Sequence, residues 1–323
     1  MTWASAIDRY PFNSPWIRSL VGRHGLPVWF ATNSILAVAQ SARDTTLLYF
    51  DARLYLLATQ AWLEGRDPWS VQLAGNYFAA PPPSMLPLAP IAMLPIDAGV
   101  AILAGLVIVA SVATVRLLGL PWWWILFPPL VQSALSANVQ TLLIPLILLP
   151  LGTLAGLLKI YAVVPLVILG RWKSIVALLV VLAASASLLP WAIYVRDFAR
   201  IGGRLAEQTD IALPTIVLVL AAPFALVAMW VIGRERAAWL AVPALWPSQQ
   251  YYYGTLAMGA KSGLAAAIVA LPIQGSGLLA LLVLALVEWR RGARPRLPSR
   301  WSRNDDRTIG AVTGRTGPLD SEP

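Results

Sequence analysis

The chain has no cysteine and a single histidine among its 323 residues. The first absence excludes disulfides and thiolate metal sites. The second leaves His24, in a basic N-terminal flank, as the sole imidazole, so histidine catalysis and histidine metal clusters are excluded as well. Charge is also scarce, at 12% of residues, and after Asp51, Glu64 and Asp67 the sequence carries only Asp97 before the next carboxylate, Asp197. No glycine-rich phosphate loop follows a strand-like segment, no internal repeat stands out, and no alternating pattern suggests a sheet. A cytoplasmic nucleotide site would need soluble sequence that this chain does not carry, so an activated substrate has to come from the membrane.

What is present is apolar. Hydrophobic residues make up 58% of the chain, with a mean hydropathy of +0.69. Core helices of a large soluble protein would show polar outer faces, whereas segments 98–118 and 174–194 are apolar all round and reach the ~20 residues that cross a bilayer. The predicted fold is therefore an all-α, polytopic transmembrane helical bundle over residues 26–289. It has ten or eleven candidate spans, at 26–42, 82–95, 98–118, 121–136, 139–151, 155–170, 174–194, 211–232, 237–250, 255–272 and 276–289. The segment from Leu26 to about Ala42 has no suitably placed A-x-A-like cleavage site and reads as a retained first helix. Residues 1–25 form a cytoplasmic flank, and 290–323 a basic, disordered cytoplasmic tail.

The net charge of +9 comes largely from that tail, where eight arginines face four acids. Its Pro, Ser, Gly and Arg content suits contact with anionic lipid headgroups and gives no reason to invoke nucleic acid. Basic anchors at Arg9, Arg18 and Arg23, at Arg171 and Lys173, at Arg234 and Arg236, and in the tail orient the spans. Eleven full crossings would put the tail outside, so one short segment is expected to be re-entrant. Loops 43–81, 195–210 and 246–254 then share the outer face of a cell membrane. Trp122 to Trp124, Trp172 and Trp289 read as interfacial anchors.

The first outer loop contains most of the acids. Read as an amphipathic helix, 49–63 places Asp51, Tyr55, Ala58 and Trp62 on one face, and Gly65 with Pro68 ends it. Asp51 has two readings: a functional carboxylate, or a first-turn acid complementing the helix dipole at ~0.3–1 kcal/mol. Glu64 and Asp67, flanking Arg66 at the turn, are ordinary loop formers. Lys159 and Lys261 sit inside apolar segments, where a charge costs ~2.5–3.5 kcal/mol and is functional or snorkelling by default. Arg196, Arg200 and Arg204, four residues apart, would line one helical face, either to bind an anion or as a solvated face paired with Asp197, Glu207 and Asp210.

The pattern Asp51, Tyr55, Ala58, then Gly65, Pro68 and Trp69, then Tyr77, Phe78, Pro81, Pro82, Pro90 and Pro95 resembles the polyprenol-phosphate-dependent glycosyltransferases of family 87. The resemblance is densest over 45–96. It continues at "ANVQTLL" (137–143), similar to a G-Q/N-V-x-x-L-L element, and at "LKIYAVVPLVILGRWK" (158–173), similar to an L-K-P-x-P…R-R-W element. It implies the membrane-embedded GT-C fold and transfer of a sugar, mannose most often, from a polyprenyl phosphate to a glycolipid or glycan hydroxyl on the outer face. It implies Asp51 as the general base, Lys159 as the matching family lysine, and no cofactor. Inverting transfer needs one base, because the departing phosphate needs no acid, and cations to stabilise that phosphate. Candidate substrate-binding residues are Tyr55, Lys159, Arg196, Arg200, Arg204, Gln250, Tyr252, Tyr253 and Lys261. The turn 249–253 carries tyrosines where the family commonly has histidines, and the basic turn expected between "NVQ" and Lys159 is missing. Tyr252 and Tyr253 are equally at home in an interfacial belt. Asp51 and Asp44 have oxygens to offer a divalent ion, although no ligand cluster is specific. The rival classes are a transporter or lipid flippase, with Lys159 and Lys261 at its midplane, and a catalytically degenerate membrane scaffold.

Overall fold

A computed structural model describes residues 15–208 and 212–292. Arg9, Asp210 and the tail beyond Gly292 lie outside the described residues, so the expectations for the N-terminal flank and the basic tail fall largely there. The chain is mostly helical, and its only strands among the described residues are the two short ones of a hairpin, β1 (Gln72–Leu73) and β2 (Asn76–Tyr77).

Two helices are long and apolar enough to cross a membrane, Ile96–Leu117 and Thr215–Ile232. The second leaves Ile216, Val219, Leu220, Phe224, Leu226 and Val227 bare, and the first leaves Ile108 and Val109 bare. Apolar faces of that extent suit lipid and not water.

The other expected spans are divided. In chain order the helices are α1 (Pro15–Arg43), α2 (Phe50–Leu63), α3 (Ala89–Ala92), α4 (Ile96–Leu117), α5 (Pro128–Leu135), α6 (Leu143–Leu148), α7 (Gly152–Leu158), α8 (Val163–Ile168), α9 (Trp172–Ala184), α10 (Trp191–Arg196), α11 (Phe198–Glu207), α12 (Thr215–Ile232), α13 (Arg234–Leu245), α14 (Gly263–Val269) and α15 (Ser276–Arg290). Proline sets much of this segmentation. Pro128 and Pro129 open α5, while Pro145 and Pro165 occupy the first turns of α6 and α8, where a missing N–H costs nothing. Each of α6 and α8 is entered through a short 3₁₀ turn, Val139–Leu142 and Ile160–Ala162.

α2 forms where the sequence places a helix, but its setting differs from an interfacial amphipathic helix. Ala52, Leu56 and Ala58 are fully buried, and α3, α4 and the 3₁₀ segment Pro82–Leu88 pack against it. Its small and leucine side chains are spread round the helix, so neighbours can cover more than one face. The tryptophans also divide. Trp122 is exposed, while Trp124 is buried in a cluster with Phe30, 5.5 Å away, and Phe127. Trp124 is thus a core residue, not an interfacial anchor.

The C-terminal helices close up through small residues and ion pairs. Arg236 reaches Glu288 at 2.9 Å, joining α13 to α15. Arg234 donates to the carbonyls of Ile168 and Leu169 at the end of α8, which would otherwise lack partners. Where α15 crosses α13, a Cβ on Gly277 would stand 1.9 Å from the Pro243 carbonyl oxygen, so the backbones meet with no room for a side chain. Gly277→Ala should lower stability by about 1–3 kcal/mol through overpacking, read as an earlier thermal unfolding transition of the detergent-solubilised protein, whereas Gly105→Ala, with nothing near its Cβ position, should leave the transition in place.

Candidate functional site

α2 enters the site through its first turn. Tyr49, the residue before it, has φ 55° and gives no side-chain cap, so the free N–H groups of the turn need other acceptors. They find them at the end of α5: Tyr49 N donates to Leu135 O at 2.8 Å, Asp51 N to Ser136 O at 3.0 Å and Ala52 N to the same carbonyl at 3.3 Å. Asp51 is thereby pinned beside the break at 136–138, where Ala137 takes φ 50° and Asn138 caps the next turn, accepting from Gln140 N at 2.8 Å.

A second break presents Lys159. Its backbone is extended between α7 and the turn Ile160–Ala162, so the helix is interrupted at the charged residue. The side chain is buried, with Nζ 5.0 Å from the centre of the Tyr55 ring, 5.8 Å from Tyr252 and 6.0 Å from Tyr161. A cation enclosed by ring faces is stabilised by their quadrupoles without being neutralised. Asp51 and Lys159 act on one another electrostatically, yet among the described residues neither forms an ion pair with any group within 4.0 Å.

The third element is the 3₁₀ segment Tyr251–Ala260, which brings Tyr252 and Tyr253 in from the C-terminal half. The Tyr253 ring lies 4.6 Å from Tyr161 and 5.2 Å from Tyr252. The Tyr161 hydroxyl donates to Gln140 Oε1, linking the second break to the first. Tyr251 turns away and donates to Ala270 O at 2.6 Å.

These groups form the polar end of a cavity of about 490 Å³. Asp51, Tyr55, Lys159, Gln250, Tyr252 and Tyr253 all line it, and the remaining wall is largely apolar, including Leu54, Phe78, Pro83, Leu182, Trp191 and Phe198. Burial raises the Asp51 carboxyl above the ordinary aspartate value, and the Asn138 side chain, the Lys159 charge and the Ser136 side chain pull it back down.

The other predicted residues do not join this group. Arg196 and Arg200 pair with Asp197, Arg196 at 3.0 Å, and Arg200 also reaches Asp67 at 3.5 Å. The Arg196 guanidinium beside it holds the Asp197 carboxyl below its ordinary value. This is the solvated, paired face that the sequence left open as one alternative. Arg204 lies over the Tyr77 ring at 3.7 Å and donates to Trp69 O at 3.0 Å, which ties α11 to the hairpin. Lys261 is exposed, with φ 50°, and does not line the cavity.

Among the remaining acids, Glu64 pairs with the nearby Arg66 and Asp67 accepts from Trp69 N at 2.9 Å, both in turn roles. Asp44 accepts from Thr46 N at 3.1 Å in its own turn. Among the described residues no three His, Cys, Asp or Glu side chains gather as a metal site.

Sequence reasoning did not assign Asn138, Gln140, Tyr161, Tyr194 or Ser248 to the site. The first three stand inside the two quoted motif segments, so their neighbourhood was legible, but no spacing rule reports which side chains of a broken helix turn inward. In comparisons with known proteins, the chain matches no family model, no curated protein and no solved structure.

Proposed function

We propose that this chain is a polytopic membrane glycosyltransferase of GT-C type, which moves a sugar, mannose by preference, from a polyprenyl phosphate to a glycolipid or glycan hydroxyl at the extracytoplasmic face of a cell membrane. The observation that carries this reading is the joint burial of Asp51 and Lys159 at the polar end of an otherwise apolar cavity. A ligand with a long apolar tail, an anionic phosphate and a sugar has the same distribution of chemistry.

The placement of non-helical backbone is consistent with this. In a bilayer, an interrupted helix is tolerated where the break lines a cavity or is covered by protein. Lys159 lines the cavity, the break at 136–138 is bonded to α2, and the turn before Tyr251 contributes Ser248 and Gln250 to the wall.

In the proposed reaction the acceptor hydroxyl loses its proton to the Asp51 carboxylate as its oxygen bonds to the anomeric carbon. The bond from that carbon to the donor phosphate breaks on the opposite face, giving inversion. The phosphate leaves as polyprenyl phosphate with one more negative charge than it carried as a diester. Lys159 faces the cavity as a fixed cation for that developing charge, and its effect is large because the site is dry. Tyr55, Tyr252, Tyr253 and Gln250 supply hydroxyl and amide groups for the sugar and phosphate oxygens. No step requires a cofactor.

Membranes carrying the chain, incubated with labelled polyprenyl-phosphate sugars, should form labelled glycolipid, and Asp51→Asn should lower the rate roughly 10²–10⁴-fold. Transfer by Asp51→Asn at the wild-type rate would sink the assignment of the base. Lys159→Met should reduce kcat by about 10²–10³-fold, with Lys159→Arg recovering part of it; equal rates for Lys159→Met and wild type would remove the phosphate-stabilising role. Since the base works only when ionised and burial raises its pKa, kcat/KM should fall with decreasing pH along a limb centred above the ordinary aspartate value near 3.9. A limb at or below that value would contradict the burial argument.

A further inference from the structure

Asn138 is fully buried, and its two amide atoms have different fates. The oxygen accepts from Gln140 N at 2.8 Å, which fixes how the amide plane faces. The nitrogen makes no hydrogen bond within the protein, although an unpaired buried amide N–H is costly. It sits close enough to both the Asp51 carboxyl and the Tyr252 hydroxyl to act on each. An amide nitrogen has two hydrogens, and these two oxygens are two acceptors.

The backbone holds the partners in register. Asp51 N and Ala52 N both donate to Ser136 O, two residues before Asn138, so the carboxylate and the amide hang from one hydrogen-bonded junction. Catalytic hydrogen bonds are often long in an unliganded site and shorten when substrate arrives.

We infer that Asn138 is a positioning residue, whose side-chain N–H groups orient the Asp51 carboxylate towards the acceptor and tether it to Tyr252. The inference rests on the reading of Asp51 as the base, and it gives a role to a buried donor that the fold itself leaves unused. The groups facing Asp51 are Tyr55 on its own helix, Lys159 from the break after α7, Tyr252 and Tyr253 from the 3₁₀ segment, and Ser136 with Asn138 from the break after α5. Lys159 and the two side chains after α5 favour the ionised carboxylate. Removing the amide donor therefore leaves the protonated form favoured to higher pH.

The test uses the full chain in its membranes. A hydrophobic carbodiimide, which modifies protonated carboxyl groups, is applied across a pH series, and modification of Asp51 is read by mass spectrometry in wild type, Asn138→Asp and Asn138→Ser. Asn138→Asp is nearly isosteric and keeps an oxygen to cap Gln140, so chiefly the donor is lost. Asn138→Ser keeps a capping hydroxyl without adding charge, and so covers a failure of the first variant to reach the membrane. Both should move the midpoint of modification to higher pH, and in the transfer assay both should lower kcat roughly tenfold or more with little change in KM. A merely structural cap would leave the midpoint where it is, and midpoints equal to wild type overturn the inference whatever the transfer assay gives. A midpoint that moves in a protein transferring no sugar supports the Asn138 to Asp51 contact and removes the glycosyl-transfer reading instead.

Discussion

The site depends on the junction between two helix ends. An α-helix begins with N–H groups that have no partner and finishes with carbonyls that have none. Here the start of α2 and the finish of α5 satisfy each other directly, through three backbone bonds from Tyr49, Asp51 and Ala52 to Leu135 and Ser136. No side chain caps the start of α2 in their place. The junction puts Asp51 beside Asn138 and gives a reason for the break after α5, since a helix continuing past Ser136 would turn that carbonyl back into its own hydrogen-bond ladder.

The same logic accounts for Lys159. An apolar segment that ran unbroken from 152 to 168 would have to hide the lysine on its own face. The extended backbone at this residue instead delivers the side chain into a ring of tyrosines drawn from α2, the turn after α7 and the segment 251–260. Aromatic faces make the burial of a cation tolerable and leave its hydrogen-bond donors uncommitted. That combination suits capture of an anion better than a salt bridge would, because the protein does not itself quench the charge.

Charge elsewhere is used differently. Arg200 and Arg204, predicted as partners of the substrate, are bound to protein groups at the rim: to Asp197, to Asp67, to a backbone carbonyl and to the face of Tyr77. Such exposed pairs add little to stability singly. Their arrangement sets α11 against the hairpin 72–77, and residues of both elements, Ile201, Leu205 and Tyr77 among them, line the cavity. The arginines thus help to shape the enclosure from outside it.

Composition and periodicity alone determined that this chain is helical and apolar, that α4 and α12 are long enough to cross a bilayer, and that Asp51, Tyr55 and Lys159 stand apart from their surroundings. These properties follow from local sequence: hydrophobic runs, proline positions, and the rarity of charge where charge is expensive. Tertiary structure decided which of several similar residues meet. Lys159 and Lys261 look alike in sequence, yet one is enclosed by tyrosines and the other is exposed. Trp122 and Trp124 are two residues apart, and only the second is buried. The direction a side chain takes at a helix break depends on what packs against it from far along the chain, and no local pattern carries that information.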